Sequence, residues 1–214
     1  SIPSIIKEAF LSSEDKDFYN HLGLDFNAII RAALTNLQNY NSGKRAIGAS
    51  TITQQIAKNF LLSSDYSFER KIKEAILALR IERTFSKDHI FELYLNEIYL
   101  GLNSYGVAAA ALNYFDKPLS QISLEEAAYL AALPKGPNNY HPIKKTKQAK
   151  IRRNWVLSQM YKNGLITENE LQRASLLELK IASSSGVDDA YAPYPVEEIR
   201  KTLIKSFGHN SLYT

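Results

Sequence analysis

Residues 48–59 read GASTITQQIAKN, and this stretch predicts a helix with an unusual polar face. Its polar positions follow one another at spacings of three, one and three: Thr51, Gln54, Gln55 and Lys58. A soluble helix usually carries mixed charges on such a stripe, whereas this one is mostly neutral. Ser50 precedes the stripe as the expected N-cap. We therefore expect this face to hold a polar molecule.

The rest of the chain repeats helical patterns and contains hardly any strand pattern. Apolar residues recur at helical spacing, and capping residues or terminators separate the helices. Typical N-cap signals are Asp25, Ser67, the pair Ser123 and Glu126, and the pair Thr167 and Glu170. The segment EAILAL (74–79) is apolar nearly all round, which predicts a buried helix. The sequence thus predicts an all-α fold.

Composition narrows the class of protein but does not name a function. The 214 residues are 45% hydrophobic and 22% charged, as in ordinary globular domains. The net charge of +4 suits an anionic partner, although it is too small to identify one. The absence of cysteine excludes disulfides and thiolate metal sites. No apolar run approaches the roughly 18 residues that a membrane-spanning helix needs.

Domain boundaries follow from a change in composition near the C-terminus. Residues 1–181 are predicted to form the main domain. The segment ASSSGVDDAYAPYP (182–195) is small, polar and proline-containing, which is typical of a linker. Residues 196–214 then begin a further segment with a helical pattern.

Charged side chains mark two candidate centres of chemistry. Glu14 and Asp15 stand where the first helix is expected to end, and His21 follows seven residues after Glu14. Arg70, Lys71 and Glu74 open a later helix. Taken singly, these are ordinary solvated carboxylates, a turn histidine and a surface ion pair.

Taken together, the same groups suit an anion beside a sugar. The start of a helix carries a positive dipole end, so two cations there can bind a phosphate or diphosphate. Lys58 lies one short connection away and can add a third cation. The neutral stripe supplies the donors and acceptors that orient sugar hydroxyls. We therefore expect an oligosaccharide on one face and a leaving diphosphate at the basic end.

Four ordered segments resemble the motifs of one enzyme family. They are EDKDFYNHLG (14–23), GASTITQQIAKN (48–59), RKIKE (70–74) and IFELYLNEIYLG (90–101). They are similar to the four motifs of the peptidoglycan glycosyltransferases, the transglycosylase domain of bifunctional class A penicillin-binding proteins and of their monofunctional relatives. Ala49 replaces a frequent glycine of the second motif. The resemblance covers about residues 1 to 180.

The resemblance implies a fold and a reaction. The fold would be all-α and lysozyme-like, with a head lobe and a jaw lobe that dips into the membrane. The substrate would be lipid II, which the enzyme joins into β-1,4 peptidoglycan strands with inversion and with undecaprenyl diphosphate as leaving group. The chain would act in cell wall biosynthesis, at the outer face of the cytoplasmic membrane. It would follow a transmembrane anchor and lead towards a transpeptidase, and residues 196–214 resemble that joint.

The resemblance also assigns roles to residues. Glu14 would be the general base, and Glu74 would either hold a divalent cation, Mg²⁺ or Mn²⁺, or assist departure of the diphosphate. The cations expected to stabilise that leaving group are Arg31, Lys58, Arg70 and Lys71. The remaining residues expected to line or brace the substrate site are Asp15, Phe18, His21, Ser50, Thr51, Gln54 and Asn59. The phosphoglycolipid moenomycin would occupy the donor site, and nucleic acid would not be a partner.

Two alternatives remain open from the sequence. A lysozyme-like hydrolase or lytic transglycosylase must protonate a sugar leaving group, and such an enzyme has no use for the basic cluster. A peripheral membrane module would use the cations to bind anionic lipid. NFLLSSDYSF (59–68) supports the second alternative if its apolar residues meet a bilayer, but they are equally well explained as core.

Overall fold

The computed structural model of the chain describes residues 2–40, 48–60 and 67–182, without the side chain of Phe60. These residues form α-helices with the following bounds: α1 Ser4–Glu14, α2 Phe26–Gln38, α3 Ile52–Phe60, α4 Phe68–Thr84, α5 Lys87–Glu97, α6 Gly106–Phe115, α7 Leu124–Leu130, α8 Thr146–Lys162 and α9 Glu168–Leu176. Short 3-10 turns occupy Phe18–Asn20, Leu119–Gln121 and Pro137–Asn139. In these ranges the extended pairing is a single isolated bridge between Tyr99 and Tyr105. The all-α prediction is confirmed.

The chain divides into two compact units, as the two-lobed prediction expects. Unit 1 contains residues 2–16 and 93–182 of the described chain, and unit 2 contains the described residues between 17 and 92. Most of the predicted linker and all of residues 196–214 lie outside the described residues, as do residues 61–66 of the apolar segment NFLLSSDYSF. The first linker residue, Ala182, still donates its backbone N–H to the Tyr114 carbonyl at 2.9 Å.

Unit 1 has its core where α1 and α8 pack against α7. Helix α7 is short, and its residues from Ala127 to Leu130 are completely buried. Both predicted capping pairs stand at helix starts. Thr167 with Glu170 begins α9 with both reciprocal hydrogen bonds, whereas at the start of α7 the Ser123 N–H donates to Glu126 Oε2 at 3.0 Å and Ser123 Oγ has no hydrogen-bond partner among the described residues. These pairs satisfy backbone N–H groups that a helix start leaves without partners. The sequence therefore placed both helix starts correctly.

Unit 2 is organised by the packing of α3 on α4. Gly23 packs closely against α4. Its φ of +93° is unfavourable for a residue with a side chain, and a Cβ added there would lie 3.0 Å from the Ala78 carbonyl oxygen. The Thr51 hydroxyl donates to the Gly23 carbonyl at 2.6 Å. Glycine at position 23 thus lets the segment before α2 lie between α4 and the start of α3.

Helix α2 departs from what its pattern suggests. Asp25 caps it as predicted, because its side chain accepts from the Ala28 N–H at 2.8 Å. None of the residues of α2 is buried, however, and its apolar residues are largely exposed, with Phe26 at 66% and Leu37 at 74%. Its apolar stripe, extended by an equally exposed Tyr40, is therefore a surface of unit 2.

The segment EAILAL is only partly buried. Leu77 and Ala78 are buried as predicted, but Ile76 is 45% exposed, because one side of α4 faces solvent. None of the described helices is long and apolar enough to cross a bilayer.

Candidate active site

The polar stripe that opens α3 is a structural cap. Helix α3 begins at Ile52, so Thr51 rather than Ser50 occupies the N-cap position. The Thr51 N–H donates to Gln54 Oε1 at 3.1 Å, and the Gln54 N–H donates to Thr51 Oγ1 at 3.1 Å. Both residues are buried. This reciprocal pairing is a capping box, so these two side chains brace the site instead of presenting a ligand surface.

Arg70, Lys71 and Glu74 form a basic group at the start of α4, where Ser67 caps the helix. We call these three residues the α4 group. Arg70 Nε lies 3.2 Å from Glu74 Oε1, and Lys71 Nζ lies 2.6 Å from Glu74 Oε2. The Glu74 side chain is 1% exposed, whereas the Lys71 side chain is half-exposed. Lys71 Nζ also donates to Ser50 Oγ at 3.1 Å, which joins the α4 group to the residues before α3.

The charges of the α4 group favour an anion. One buried carboxylate is bound to two cations, so the group keeps a net positive charge at a helix N-terminus that is itself positive. Because Glu74 fixes both cations, they are held in place before any ligand arrives. The predicted juxtaposition of Arg70, Lys71 and Glu74 with the residues before α3 is therefore present.

A resident divalent cation does not fit this group. Each oxygen of Glu74 faces a cationic nitrogen, and the Oε1 atom is buried. Mg²⁺ and Mn²⁺ prefer several oxygen ligands. Within the described ranges no three acidic, histidine or cysteine residues come together as a metal site. The predicted Mg²⁺ or Mn²⁺ on Glu74 thus gains no support from the described residues.

Lys58, Asn59 and Arg31 lie on exposed surfaces of unit 2. Lys58 and Asn59 occupy the last turn of α3. Arg31, on α2, lies 3.7 Å from Asp25 Oδ2 and 3.9 Å from Asp17 Oδ2. These distances give weak exposed ion pairs, which leave the Arg31 side chain available to another anion.

Phe18 and His21 pack inside unit 2. Phe18 is completely buried, with the His21 ring edge-on at 6.1 Å, Phe91 at 5.6 Å and Lys87 Nζ 4.2 Å above its ring. His21 Nδ1 accepts from the Gly23 N–H at 3.1 Å. Because Phe18 is completely buried, it can brace a site only from inside unit 2, and its predicted substrate role stays a prediction. His21 orders the turn before α2, as its ordinary structural explanation expects.

In unit 1, Glu14 is the last residue of α1 and Asp15 is its C-cap. Two contacts fix this end of α1: Ser13 Oγ donates to the Ala131 carbonyl at 2.9 Å, and Asn163 Nδ2 donates to Ser12 Oγ at 3.2 Å. Asp15 is buried and Glu14 is half-buried. A rigid, partly accessible carboxylate is the arrangement that a general base needs.

The surroundings of Glu14 include a tyrosine from α5. Burial, together with the negative charges of Glu14 and Asp15, raises the pKa of the Tyr94 hydroxyl well above its usual value. The Tyr94 ring meets Phe10 of α1 edge-on at 6.2 Å. Tyr94 therefore stays protonated near Glu14 and does not compete with it as a base.

Two arginines of α8 were missed by sequence reasoning. Arg152 and Arg153 are buried on the core face of the helix, which they share with Ala149, Val156, Leu157 and Met160. The signal was present in the sequence, since arginines at positions spaced like core residues are unusual and need partners. Arg153 has them, because its Nη1 donates to the Leu177 carbonyl at 2.7 Å and its Nη2 to the Ser175 carbonyl at 3.0 Å.

Comparisons with known proteins agree with the four motifs. A family model described as transglycosylase matches residues 1–161. Penicillin-binding protein 1A of Rickettsia bellii is 45% identical over 208 residues, which are 97% of this chain and 26% of that protein. Penicillin-binding protein 1A of Aquifex aeolicus is 44% identical over 207 residues, which are 97% of this chain and 28% of that protein.

A solved structure was also matched, the 2.6 Å crystal structure of penicillin-binding protein 1A from Haemophilus influenzae. Its sequence is 34% identical to this chain. The aligned region covers 76% of this chain and 21% of that chain, with a TM-score of 0.45. The chain spans 26–28% of the length of the two curated relatives described above.

Proposed function

The chain belongs to the transglycosylase family, and on that basis we propose that it polymerises lipid II into β-1,4-linked glycan strands of peptidoglycan. Undecaprenyl diphosphate is the leaving group. The observation that carries the proposal is the α4 group, in which buried Glu74 holds Arg70 and Lys71 at a helix N-terminus. Such a group suits a diphosphate better than a neutral leaving group.

Glu14 acts as the general base in this proposal. It accepts the proton of the acceptor sugar 4-hydroxyl while that oxygen attacks the anomeric carbon of the donor. The bond from the anomeric carbon to the diphosphate oxygen breaks on the opposite face, so the configuration inverts. The diphosphate leaves with the bonding electrons, and Glu14 later releases its proton to water.

Arg70 and Lys71 stabilise the charge that develops on the departing diphosphate, and exposed Lys58 adds a further cation. Diphosphate is already a good leaving group, so cations suffice and no strong acid is needed. Glu74 positions the two cations. A hydrolase would instead need a carboxylic acid to protonate a sugar leaving group. Because the Glu74 carboxylate is bound to two cations, it is poorly suited to that task.

A matched pair of lysines on α4 tests the function. Lys71 contacts Glu74 and Ser50, whereas Lys73 contacts exposed Glu69 at 3.0 Å. We expect polymerisation of labelled lipid II in detergent to fall at least tenfold in Lys71→Met, and to change little in Lys73→Met. Equal effects of the two substitutions, or cleavage of preformed glycan without polymerisation, would refute the proposal.

The same pair of variants tests the inhibitor site. Moenomycin carries a phosphate and a sugar chain, and we propose that it binds at the α4 group. Lys71→Met should weaken its binding and Lys73→Met should not, as measured by fluorescence anisotropy of a labelled inhibitor. Equal affinity in both variants would place the inhibitor elsewhere.

Unit 2 meets the bilayer through α2 in this proposal, at the outer face of the cytoplasmic membrane. The support is the apolar stripe of α2, whose residues are between 40% and 74% exposed along one helix: Phe26, Ile29, Ile30, Leu34 and Leu37. Replacing both Phe26 and Leu37 by serine should reduce flotation with liposomes. Leu112→Ser, at a site on α6 that is 53% exposed, is the control and should leave flotation unchanged. If all variants float alike, another surface binds the membrane.

A further inference from the structure

The positive charge of the chain is concentrated in one segment of unit 1. Residues 127–167 contain eight of the 26 lysines and arginines and none of the 22 aspartates and glutamates. The rest of the chain is therefore net negative, and the overall charge of +4 arises from this segment. Seven of the eight cations lie between Lys144 and Lys162, in α8 and the turn before it.

The exposed lysines of this segment lack the ion pairs that other lysines form. Lys73, Lys87 and Lys117 each lie within 3.0 Å of a glutamate oxygen, and Lys150 pairs with Glu178. No described residue forms an ion pair with four further lysines of the segment, all of them exposed: Lys144, Lys145, Lys147 and Lys162. The chain thus leaves these charges without a counter-charge among its described residues.

Three of these lysines stand where they oppose the stability of their own helix. Lys145 is the N-cap of α8 and makes no side-chain cap, and the first turn contains no acidic residue. Helices α7 and α9, in contrast, carry glutamates in their first turns. Lysines beside the positive end of a helix dipole are unfavourable, so their presence there favours an explanation outside the fold.

Exposed apolar side chains lie between the lysines. Ile143 is 71% exposed and Ile151 is 62% exposed. The Lys145 N–H donates to the His141 carbonyl at 2.9 Å, so helical spacing already begins before α8. Positions 143, 147, 151 and 155 follow one another at spacings of four and share one side of the helix. Lysine and isoleucine therefore alternate along an outward side of α8.

Trp155 continues the same side and is held in place from below. Its side chain is 39% exposed, and the guanidinium carbon of buried Arg152 lies 3.8 Å from the centre of its ring. This cation–π contact covers one face of the ring and restrains its orientation. We call Ile143, Lys144, Lys147, Ile151 and Trp155 the α8 surface.

We propose that the α8 surface binds a bilayer that contains anionic lipid. The lysines contact lipid phosphates, while the isoleucines and the tryptophan enter the interface between headgroups and acyl chains. A soluble polyanion would use the lysines alone and would give the exposed isoleucines no role. This contact belongs to unit 1 and depends on lipid charge, which distinguishes it from the apolar stripe of α2 in unit 2.

The direct test measures binding to lipid vesicles by flotation. The native chain should bind vesicles of equimolar phosphatidylglycerol and phosphatidylcholine more tightly than vesicles of phosphatidylcholine alone, and added salt should reduce the difference. We expect Lys144→Gln/Lys147→Gln to weaken binding to the mixed vesicles about tenfold. Ile143→Ser/Ile151→Ser should weaken it as well, because apolar burial is lost.

Matched controls separate the α8 surface from net charge and from general exposure. Lys73→Gln/Arg83→Gln removes the same charge from α4, and Leu112→Ser removes an exposed apolar side chain from α6; both should bind mixed vesicles as the native chain does. Urea denaturation gives a second readout. Lys144→Gln/Lys147→Gln should be at least as stable as native, since it relieves repulsion at the start of α8, whereas lysines with a purely structural role would lower stability when replaced.

Two results would overturn the proposal. The first is native binding to mixed vesicles by Lys144→Gln/Lys147→Gln. The second is a loss of binding in that variant with none in Ile143→Ser/Ile151→Ser, together with tight binding of inorganic polyphosphate, which would identify a soluble polyanion as the partner.

The outcome is independent of the proposed function, because lipid II polymerisation in detergent requires no bilayer. A native chain that polymerises lipid II, with lysine variants that bind mixed vesicles normally, would refute the membrane role of the α8 surface alone. Lysine-dependent vesicle binding by a chain that polymerises nothing would support the α8 surface and refute the proposed function.

Discussion

Glu14 of unit 1 and Glu74 of unit 2 have contrasting surroundings. Glu74 is 1% exposed and contacts Arg70 and Lys71 at 3.2 and 2.6 Å. Glu14 is half-buried at the end of α1, next to buried Asp15. One carboxylate is closed between two cations, and the other belongs to a partly accessible residue at the end of its helix.

The difference in burial and neighbouring charge indicates which role each carboxylate can take. A proton acceptor must be reachable by the hydroxyl that it deprotonates, and Glu14 meets that requirement. A carboxylate closed between two cations serves to position them, as Glu74 does. Two chemically identical side chains thus have different proposed roles because their surroundings differ.

The largest effect on stability should come from breaking the buried ion pairs of unit 2. Glu74→Gln removes the carboxylate charge from beside the largely buried Arg70 side chain, and we expect the free energy of unfolding to fall by about 3 kcal/mol in urea denaturation. Glu69→Gln removes the exposed pair with Lys73 on the same helix and should cost less than about 0.5 kcal/mol.

The same urea denaturation experiment can refute the role assigned to Glu74. If Glu74→Gln and Glu69→Gln are equally stable, Glu74 does not hold the cations as described. If Mg²⁺ stabilises the native protein in the absence of substrate and Glu74→Gln abolishes that effect, then Glu74 holds a resident metal and the positioning role is wrong.

An intermediate effect is expected from the capping box of α3. Gln54→Ala removes the acceptor for the buried Thr51 N–H, which should lower stability by about 1 kcal/mol. Asn59→Ala, on the exposed end of the same helix, serves as the control and should be close to neutral. If Gln54→Ala is as stable as native but loses affinity for lipid II, Gln54 contacts substrate after all.

The smallest effect should come from the capping box of α9 in unit 1, which uses a carboxylate where α3 uses an amide. Hydrogen bonds from the backbone and side chain of Thr167 lower the pKa of Glu170 below its usual value. Its stabilising contribution is therefore complete above the unfolded-state pKa and is lost as pH falls through the folded-state pKa.

Glu170→Gln should accordingly reduce the loss of stability between neutral and acidic pH, as measured by urea denaturation across that range. Gln54→Ala should leave the pH dependence as in the native protein, because an amide does not titrate. An acid dependence in Glu170→Gln identical to that of the native protein would contradict the assignment.

Local signals predicted much of the fold. Asp25, Ser67 and Thr167 cap their helices as expected, because a cap depends on residues within one turn. The basic group of α4 was predictable for the same reason, since Arg70, Lys71 and Glu74 meet at spacings of three and four.

Features that depend on tertiary packing escaped prediction. The stripe of α2 has the spacing of a core face and is nevertheless exposed, because periodicity shows which residues share a face but not what covers it. The complete burial of Phe18 and the capping role of Thr51 could not be foreseen either, because both depend on how α3 and the segment before α2 pack in unit 2. Arg152 shares the spacing of the core residues of α8, but spacing alone does not show that this face is buried.

The most direct test of the account compares native protein with Glu14→Gln in the polymerisation of labelled lipid II. The account predicts glycan strands from the native protein and a rate lower by about a thousandfold in Glu14→Gln, with unchanged folding and unchanged binding of labelled moenomycin. A Glu14→Gln variant that polymerises at the native rate would show that Glu14 is not the base, and the division of roles between the two carboxylates would be wrong.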